Sequence, residues 1–298
     1  MRPQDLARLT ALGAVWGASY LFMRYAVPQL GPVRLIELRV SIAGILLALF
    51  VAFSRGSIDW RRHWKDFLFV GTIGIALPFV LIAGALTAID ASTAAILNAL
   101  SPLFTALIAA AWIRDPLTLP KMAGIALCLV GTMVLVGWTP APMTKAQLIG
   151  AAMSMGATAF YGLSNVYTKV RLRNASAMGT SVGTLLMAAA ALMPIALAVP
   201  APRPLTEVAT GVWVATACLA VFSTAIAFIW YYRLIADVGP VKSITVTLLV
   251  PVFGMLWGVL LLGEPVTPGR IAGCAIILVG CALILGLMKM GSGPVSRS

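Results

Sequence analysis

The chain has 298 residues, 61% of them hydrophobic and only 10% charged, with a mean hydropathy of +1.00. That composition excludes an ordinary soluble domain. A formal net charge of +12 could suit a nucleic-acid partner, but no patch of interleaved aromatic and basic residues accompanies it.

The apolar residues fall into segments of roughly 18–25 residues, each long enough to cross a hydrocarbon core of about 30 Å. Period-two alternation is absent, which excludes a membrane β-barrel. The first span, Leu6–Val27, is too long for the apolar core of a secretory signal and reads as a helix. It carries Trp16 and Tyr20 four residues apart, and a Gly13-x-x-x-Gly17 spacing that permits close helix contact. The second, Leu35–Phe53, has Arg34, Glu37 and Arg39 near its start. Arg34 and Glu37 are three apart and can pair. Arg39 lies about 6–8 Å further in and can meet a substrate carboxylate or snorkel back to the interface; its long apolar stem favours snorkelling.

The third span, Phe67–Thr87, holds Pro78 and Phe79 and follows a basic loop that contains His63, the chain's only histidine. The fourth, Ala91–Ile113, places Asn98, Ser101 and Thr105 on one face and Pro102 half-way along. The fifth, Leu119–Trp138, contains Gly124 and Gly131. Ser154, Thr158, Tyr161, Asn165 and Thr168 form one face of the sixth, Leu148–Thr168, the clearest polar stripe in the chain. The seventh is Met178–Val199; the eighth, Gly211–Ile235, bears Phe228, Trp230 and Tyr231. Ser243, Thr247 and Pro251 lie in the ninth, Val241–Leu262, and Gly273 and Gly280 in the tenth, Ile271–Met288. The four cysteines all sit inside apolar spans without metal-ligand spacing and read as buried free thiols.

Two passages of the chain say nearly the same thing. Ser101–Leu135 and Val250–Ile284 align at a constant offset of 149 with 11 identities in 35 positions, including Pro102/Pro251, Pro116/Pro265, Gly124/Gly273 and Gly131/Gly280. "AVWGASYLFMR" from Ala14 echoes "AFYGLSNVYTK" from Ala159 more weakly. The chain therefore reads as an all-α integral membrane protein of ten helices in two five-helix repeats, residues 1–144 and 145–298. Five is odd, so the second copy enters the membrane inverted, around a central cavity. Assigning the 21 Lys and Arg to alternate sides puts 15 with the N-terminus and 6 opposite, which places both termini in the cytoplasm.

The carrying residues are Trp16-Gly17, Arg39, "SPLFTALIAAAWIRDPLT" (Ser101–Thr118), "VPVFGMLWGVLLLGEPVT" (Val250–Thr267) and the paired glycines. In these the chain resembles the EamA repeat of the drug/metabolite transporter superfamily. Asp115 stands where that pattern favours Glu, and Tyr161-Gly162 replaces Trp-Gly in the second copy. The resemblance implies ten helices, cytoplasmic termini and export of small metabolites, commonly amino acids.

Asp115 and Glu264 each sit in a turn with a capping Thr118 or Thr267 and a nearby Lys121 or Arg270, which favours a structural turn over a binding acid. Asparagines and aromatics inside spans favour the wall of a cavity over helix glue. The expected substrate-binding residues are Trp16, Tyr20, Phe79, Asn98, Ser101, Tyr161, Asn165, Trp230 and Thr247. Helices one, three, four, six, eight and nine would bound the cavity, braced by five and ten. An intramembrane enzyme would need a nucleophile or base, and His63 in its loop supplies no constellation. The expectation is an inner-membrane exporter of small metabolites such as amino acids, aromatic ones included, working by alternating access. A carrier of nucleotide sugars, vitamins or drugs is the second reading. The partners are a small-molecule substrate and membrane lipid, with no nucleic acid, cofactor or metal; the glycine spacings leave the oligomeric state open. Glu37 is the only acid within a span, so transport without obligatory proton or sodium stoichiometry is expected, coupling through Glu37 being the alternative.

Overall fold

A backbone that crosses hydrocarbon must satisfy its own N–H and C=O groups, and this chain does so with helices. The computed structural model describes residues 2–54, 58–137, 142–238, 243 and 245–288. The expected end of the fifth span at Trp138, the start of the ninth at Val241, and Arg55, Lys242, Lys289 and Arg297 lie outside the described residues.

In chain order the helices are α1 (Pro3–Leu30), α2 (Pro32–Phe53), α3 (Trp60–Gly71) and α4 (Leu77–Ala85), the last two joined by a π-turn at Thr72–Ala76. There follow α5 (Ala91–Asn98), α6 (Ser101–Ile113), α7 (Leu119–Gly137), α8 (Lys145–Arg171) and α9 (Ala177–Ala198). A second π-turn at Val221–Ile226 joins α10 (Thr210–Ala220) to α11 (Ala227–Val238), and α12 (Val246–Leu262) and α13 (Pro268–Ile284) complete the described helices. By length and composition, 7 helical stretches can cross a membrane, and α12 and α13 are shorter apolar helices.

The helix ends follow local chemistry. Asp90 accepts from the Thr93 N–H at 2.8 Å and Ser176 from the Gly179 N–H at 3.0 Å, each capping orphan donors of the next helix. Thr144 and Gln147 form a reciprocal capping box at the start of α8. Asp59 caps α3, which starts the helix at Trp60 and not at Phe67. His63 consequently lies on α3, which corrects its expected place in a loop, and both it and Asp66 are buried. At the other ends, α6 stops at Arg114 (φ 54°) and α12 at Gly263 (φ 65°), both in the left-handed region.

Those two stops are 149 residues apart, and other local features recur at the same distance. The Asp115 N–H returns to Ala109 O at 3.2 Å, and the Glu264 N–H to Gly258 O at 3.1 Å. The π-turns begin at Thr72 and Val221, again 149 apart. Pro78 follows the first, whereas Ala227 holds the equivalent place after the second, so proline is not their shared cause. The prolines themselves behave differently: the helix breaks at Ala99–Leu100 just before Pro102, while α12 runs unbroken through Pro251.

Packing recurs too. α7 lies along α13, where a Cβ on Gly124 would stand 2.5 Å from Gly280 O and one on Gly280 would stand 2.7 Å from Gly124 O. Only glycine allows that approach. α1 packs on α12 with Gly17 against the backbone of Phe253 and Gly254; α8 packs on α5 and α6 with Gly162 against Phe104 and Thr105. α2 rests on α9. α7 and α13 thus pair with each other, and α1, α2, α4, α5, α6, α8, α11 and α12, with both π-turns, line the cavity described next.

Candidate functional site

A cavity of about 350 Å³ lies among these helices. Of the nine side chains expected there, Trp16, Tyr20, Phe79, Asn98, Ser101, Tyr161, Asn165 and Thr247 all line it, and Trp230 does not. Trp230 is 38% exposed. Phe228, two residues earlier, faces the cavity instead, and residues two apart on a helix point to nearly opposite sides. The correction is one of helical phase.

The polar stripe of α8 divides in the same way. Tyr161 and Asn165 reach the cavity, where Asn165 Nδ2 donates to Thr105 Oγ1 at 3.3 Å. Ser154 and Thr158 turn to backbone carbonyls, Ala94 O at 3.4 Å and Met155 O at 2.6 Å. Hydroxyls can bond backbone in this way; an asparagine or a tyrosine ring has a harder time doing so. The Asn98 carbonyl, one turn before Pro102, accepts from Ser101 Oγ at 2.8 Å. Both π-turns contribute to the wall, through Gly74 and Ile75 in one and Ser223 in the other. Phe79 meets Tyr161 edge-on, their ring centres 6.4 Å apart, and Trp16 packs on Tyr231 at 5.3 Å.

α2 was not expected to reach the cavity, but its Arg39 does. The side chain is 5% exposed, so it does not snorkel. Its Nε donates to Thr224 Oγ1 at 3.0 Å, Nη1 approaches Met23 Sδ at 3.7 Å, and the guanidinium carbon lies 4.0 Å from the centre of the Phe79 ring. The neighbouring acids do not join it. Glu37 accepts from Ser41 Oγ at 2.6 Å, and Arg34 donates to Ala196 O at 3.0 Å, so the expected Arg34–Glu37 pair does not form. The signal for Arg39 was present in the sequence: a charge within a span, with its nearest acid only two residues away and so on another face.

One turn beyond the cavity-lining Ala95, the start of α5 is tied to the turn between α12 and α13. The Glu264 carboxylate accepts from the Ala91 N–H at 2.7 Å, the Ser92 N–H at 2.9 Å and the Ser92 hydroxyl, capping α5 from across the chain. Arg270 pairs with Asp90, where the sequence had pointed to Glu264, and Arg24 donates to Leu86 O and Ile89 O beside them. The start of α8 packs here, with Gly150 against Ala85 and Ile89. Asn165 is exposed and lies 15 residues further along α8, about 22 Å away at 1.5 Å per residue. It is both exposed and on the cavity wall. Asp115 pairs locally with Lys121 at 3.0 Å. Near the same end of α8 His63, Tyr167 and Arg171 surround Asp66, with Tyr167 Oη donating at 2.8 Å. This cluster joins α3 to α8 outside the cavity wall, and a loop reading of His63 had concealed it.

The described cysteines are free thiols, with Cys128 and Cys281 sulfurs 3.7 Å apart between α7 and α13. No group of three or more metal-ligating side chains occurs among the described residues.

A helical bundle that crosses a membrane many times around a polar and aromatic cavity defines a class, the multi-pass membrane transporters. The particular family follows from comparison: the EamA-like transporter family matches residues 7–137 and again 148–286, and the chain belongs to it. It is 24% identical to an uncharacterized transporter of Archaeoglobus fulgidus, over 91% of this chain and 94% of that one. It is also 24% identical to an S-adenosylmethionine/S-adenosylhomocysteine transporter of Chlamydia muridarum, over 91% and 88% of the two chains. A probable terminal-alkyne amino-acid exporter of Streptantibioticus cattleyicolor is 24% identical over 95% of each. One solved crystal structure shares the fold with a TM-score of 0.67 at 20% identity, covering 95% of this chain and 96% of that one.

Proposed function

We propose that this transporter is an inner-membrane exporter of small metabolites whose solutes are α-amino acids, working by alternating access. The observation that carries the reading is the cavity itself: about 350 Å³, with a buried cation, amides and aromatic rings on one continuous wall. That volume is near the lower end of the roughly 300–1,000 Å³ usual for ligand sites, which suits a solute of amino-acid size. The names of two relatives agree in chemistry. Terminal-alkyne amino acids, S-adenosylmethionine and S-adenosylhomocysteine all carry an α-ammonium carboxylate. A carrier of nucleotide sugars, vitamins or drugs remains the second reading.

The same proposal places ten spans in two inverted five-helix repeats, residues 1–144 and 145–298, with both termini cytoplasmic. The recurrence of stops, π-turns and the α7–α13 glycines at an offset of 149 supports the repeat, and the 15 to 6 basic asymmetry supports the orientation. In that frame the Glu264 end faces outward and is closed, and the Asn165 end opens to the cytoplasm. Inverted repeats can exchange conformations, so the opposite closure is the natural counterpart. Glu37 is held by Ser41 away from Arg39, and Asp66, which the helix start at Trp60 brings into a span, is held by Tyr167 and Arg171 outside the cavity wall; both support transport down the substrate gradient without an obligatory proton.

Counterflow into liposomes with a panel of amino acids, sugars, organic cations and nucleotide sugars tests the reading. Amino acids should exchange fastest. Exchange confined to sugars or cations would overturn the solute class. Accumulation of solute driven by an imposed pH or sodium gradient would overturn the facilitator mode, and its loss in Glu37→Gln would then locate the coupling site.

A further inference from the structure

The cavity contains three polar groups that the protein leaves incompletely answered. Arg39 is nearly fully buried, yet its partners are all neutral: a threonine hydroxyl, a thioether and the face of Phe79. The ion pairs among the described residues go elsewhere, to Arg8, His63, Lys121, Arg171 and Arg270. Ser19 Oγ and Asn98 Oδ1 are buried with no hydrogen-bond partner, and both line the same cavity as Arg39.

Burying a charge without a counter-ion is costly, as is burying a polar atom without a partner. A guanidinium offers five donors in a planar fork that matches a carboxylate, and Thr224 uses one of them. Asn98 Oδ1 is an acceptor only, so what completes it must donate a proton, as an ammonium does. The cavity thus presents a donor fork on α2 and an acceptor on α5, with Phe79, Tyr161 and Phe228 for an apolar remainder.

We propose that Arg39 is the carboxylate-binding residue of the cavity and Asn98 the partner of the substrate's ammonium group. The assignment rests on the amino-acid reading above, and it makes the zwitterionic end, not the side chain, the part that every substrate shares. Variation at the apolar end is then tolerated, while removal of the carboxylate is not.

The test uses the full-length protein, purified in detergent and in liposomes, with matched probes: L-phenylalanine, phenethylamine (no carboxylate) and 3-phenylpropionate (no ammonium), alongside the corresponding leucine series and S-adenosylmethionine. In the unsubstituted protein, carboxylate-bearing probes should raise the thermal midpoint and exchange by counterflow, and the amines should do neither. Arg39→Gln should weaken uptake of the carboxylate probes about 10- to 100-fold, as loss of a charge-assisted pair does. Arg39→Lys should retain part of it with a raised KM. Asn98→Leu should weaken L-phenylalanine more than 3-phenylpropionate, a split that a merely structural role would not produce.

The unsubstituted protein decides the matter even where Arg39→Gln fails to fold. Equal shifts from phenethylamine and L-phenylalanine, or no shift from any carboxylate probe, overturn the proposal. A folded Arg39→Gln with an unchanged KM for L-phenylalanine also overturns it, while leaving the amino-acid reading intact. Conversely, exchange of 3-phenylpropionate but of no amino acid, lost in Arg39→Gln, removes the amino-acid reading and upholds the role of Arg39.

Discussion

The turns Arg114-Asp115-Pro116 and Gly263-Glu264-Pro265 share a backbone and differ in what their acids hold. Both follow a left-handed residue, and both return the acid's N–H to a carbonyl six residues back. Asp115 then pairs with Lys121, six residues on at the start of α7. Glu264, one methylene longer, reaches Ala91 and Ser92 across separations of 173 and 172 residues and caps α5. Recurrent sequence therefore dictates the turn, while the side chain and the helix end within reach dictate its work. Only the second turn ties the start of α5.

That difference can be broken by mutation. Glu264→Ala leaves two backbone donors of α5 without their carboxylate and should cost about 2 kcal/mol. Asp115→Ala removes a half-exposed pair and should cost under about 1 kcal/mol. Thermal unfolding in detergent should show a midpoint several degrees lower for the first and a small change for the second. Equal losses would remove the asymmetry.

A smaller effect separates two ion pairs. Asp90 and Arg270, with side chains 25% and 13% exposed, should couple by about 1 kcal/mol in a double-mutant cycle, compared with about 0.3 kcal/mol for Arg8–Asp237, which is 42% and 47% exposed. Raising the salt concentration should reduce the second coupling further and spare most of the first. Indistinguishable couplings would show that the Glu264 end is no better sheltered than the other.

A change of similar size tests the shared backbone. Arg114 and Gly263 adopt the same left-handed geometry, which disfavours a side chain. Arg114→Gly should raise stability by about 0.5 kcal/mol and Gly263→Ala should lower it by about 1 kcal/mol. Effects of the same sign would mean that the two turns are not equivalent.

Much of this architecture is legible in the sequence, because hydrocarbon imposes long apolar runs and a repeat imposes one offset. The positions of the helices, the paired turns and eight of the nine cavity side chains follow from those constraints. What escaped depends on rotation about a helix axis and on neighbours distant in sequence. Phe228 and Trp230 are equally aromatic, and only phase puts one on the cavity. Arg39 is long enough to snorkel, and the choice to stay is made by Thr224 and Phe79, 185 and 40 residues away. His63 sits among charges that resemble a loop, yet Asp59 caps a helix there. The π-turns have no compositional marker at all.

The central claim is that solute moves through this cavity, closed toward the outside and open to the cytoplasm at Asn165. Cysteine labelling of Asn165→Cys, in a background freed of the four native cysteines, tests it most directly. A membrane-impermeant thiol reagent should label it from the cytoplasmic face of inverted vesicles, and saturating solute identified by counterflow should slow that labelling. Labelling only from the outside, or a rate that solute leaves unchanged while transport persists, would contradict the account.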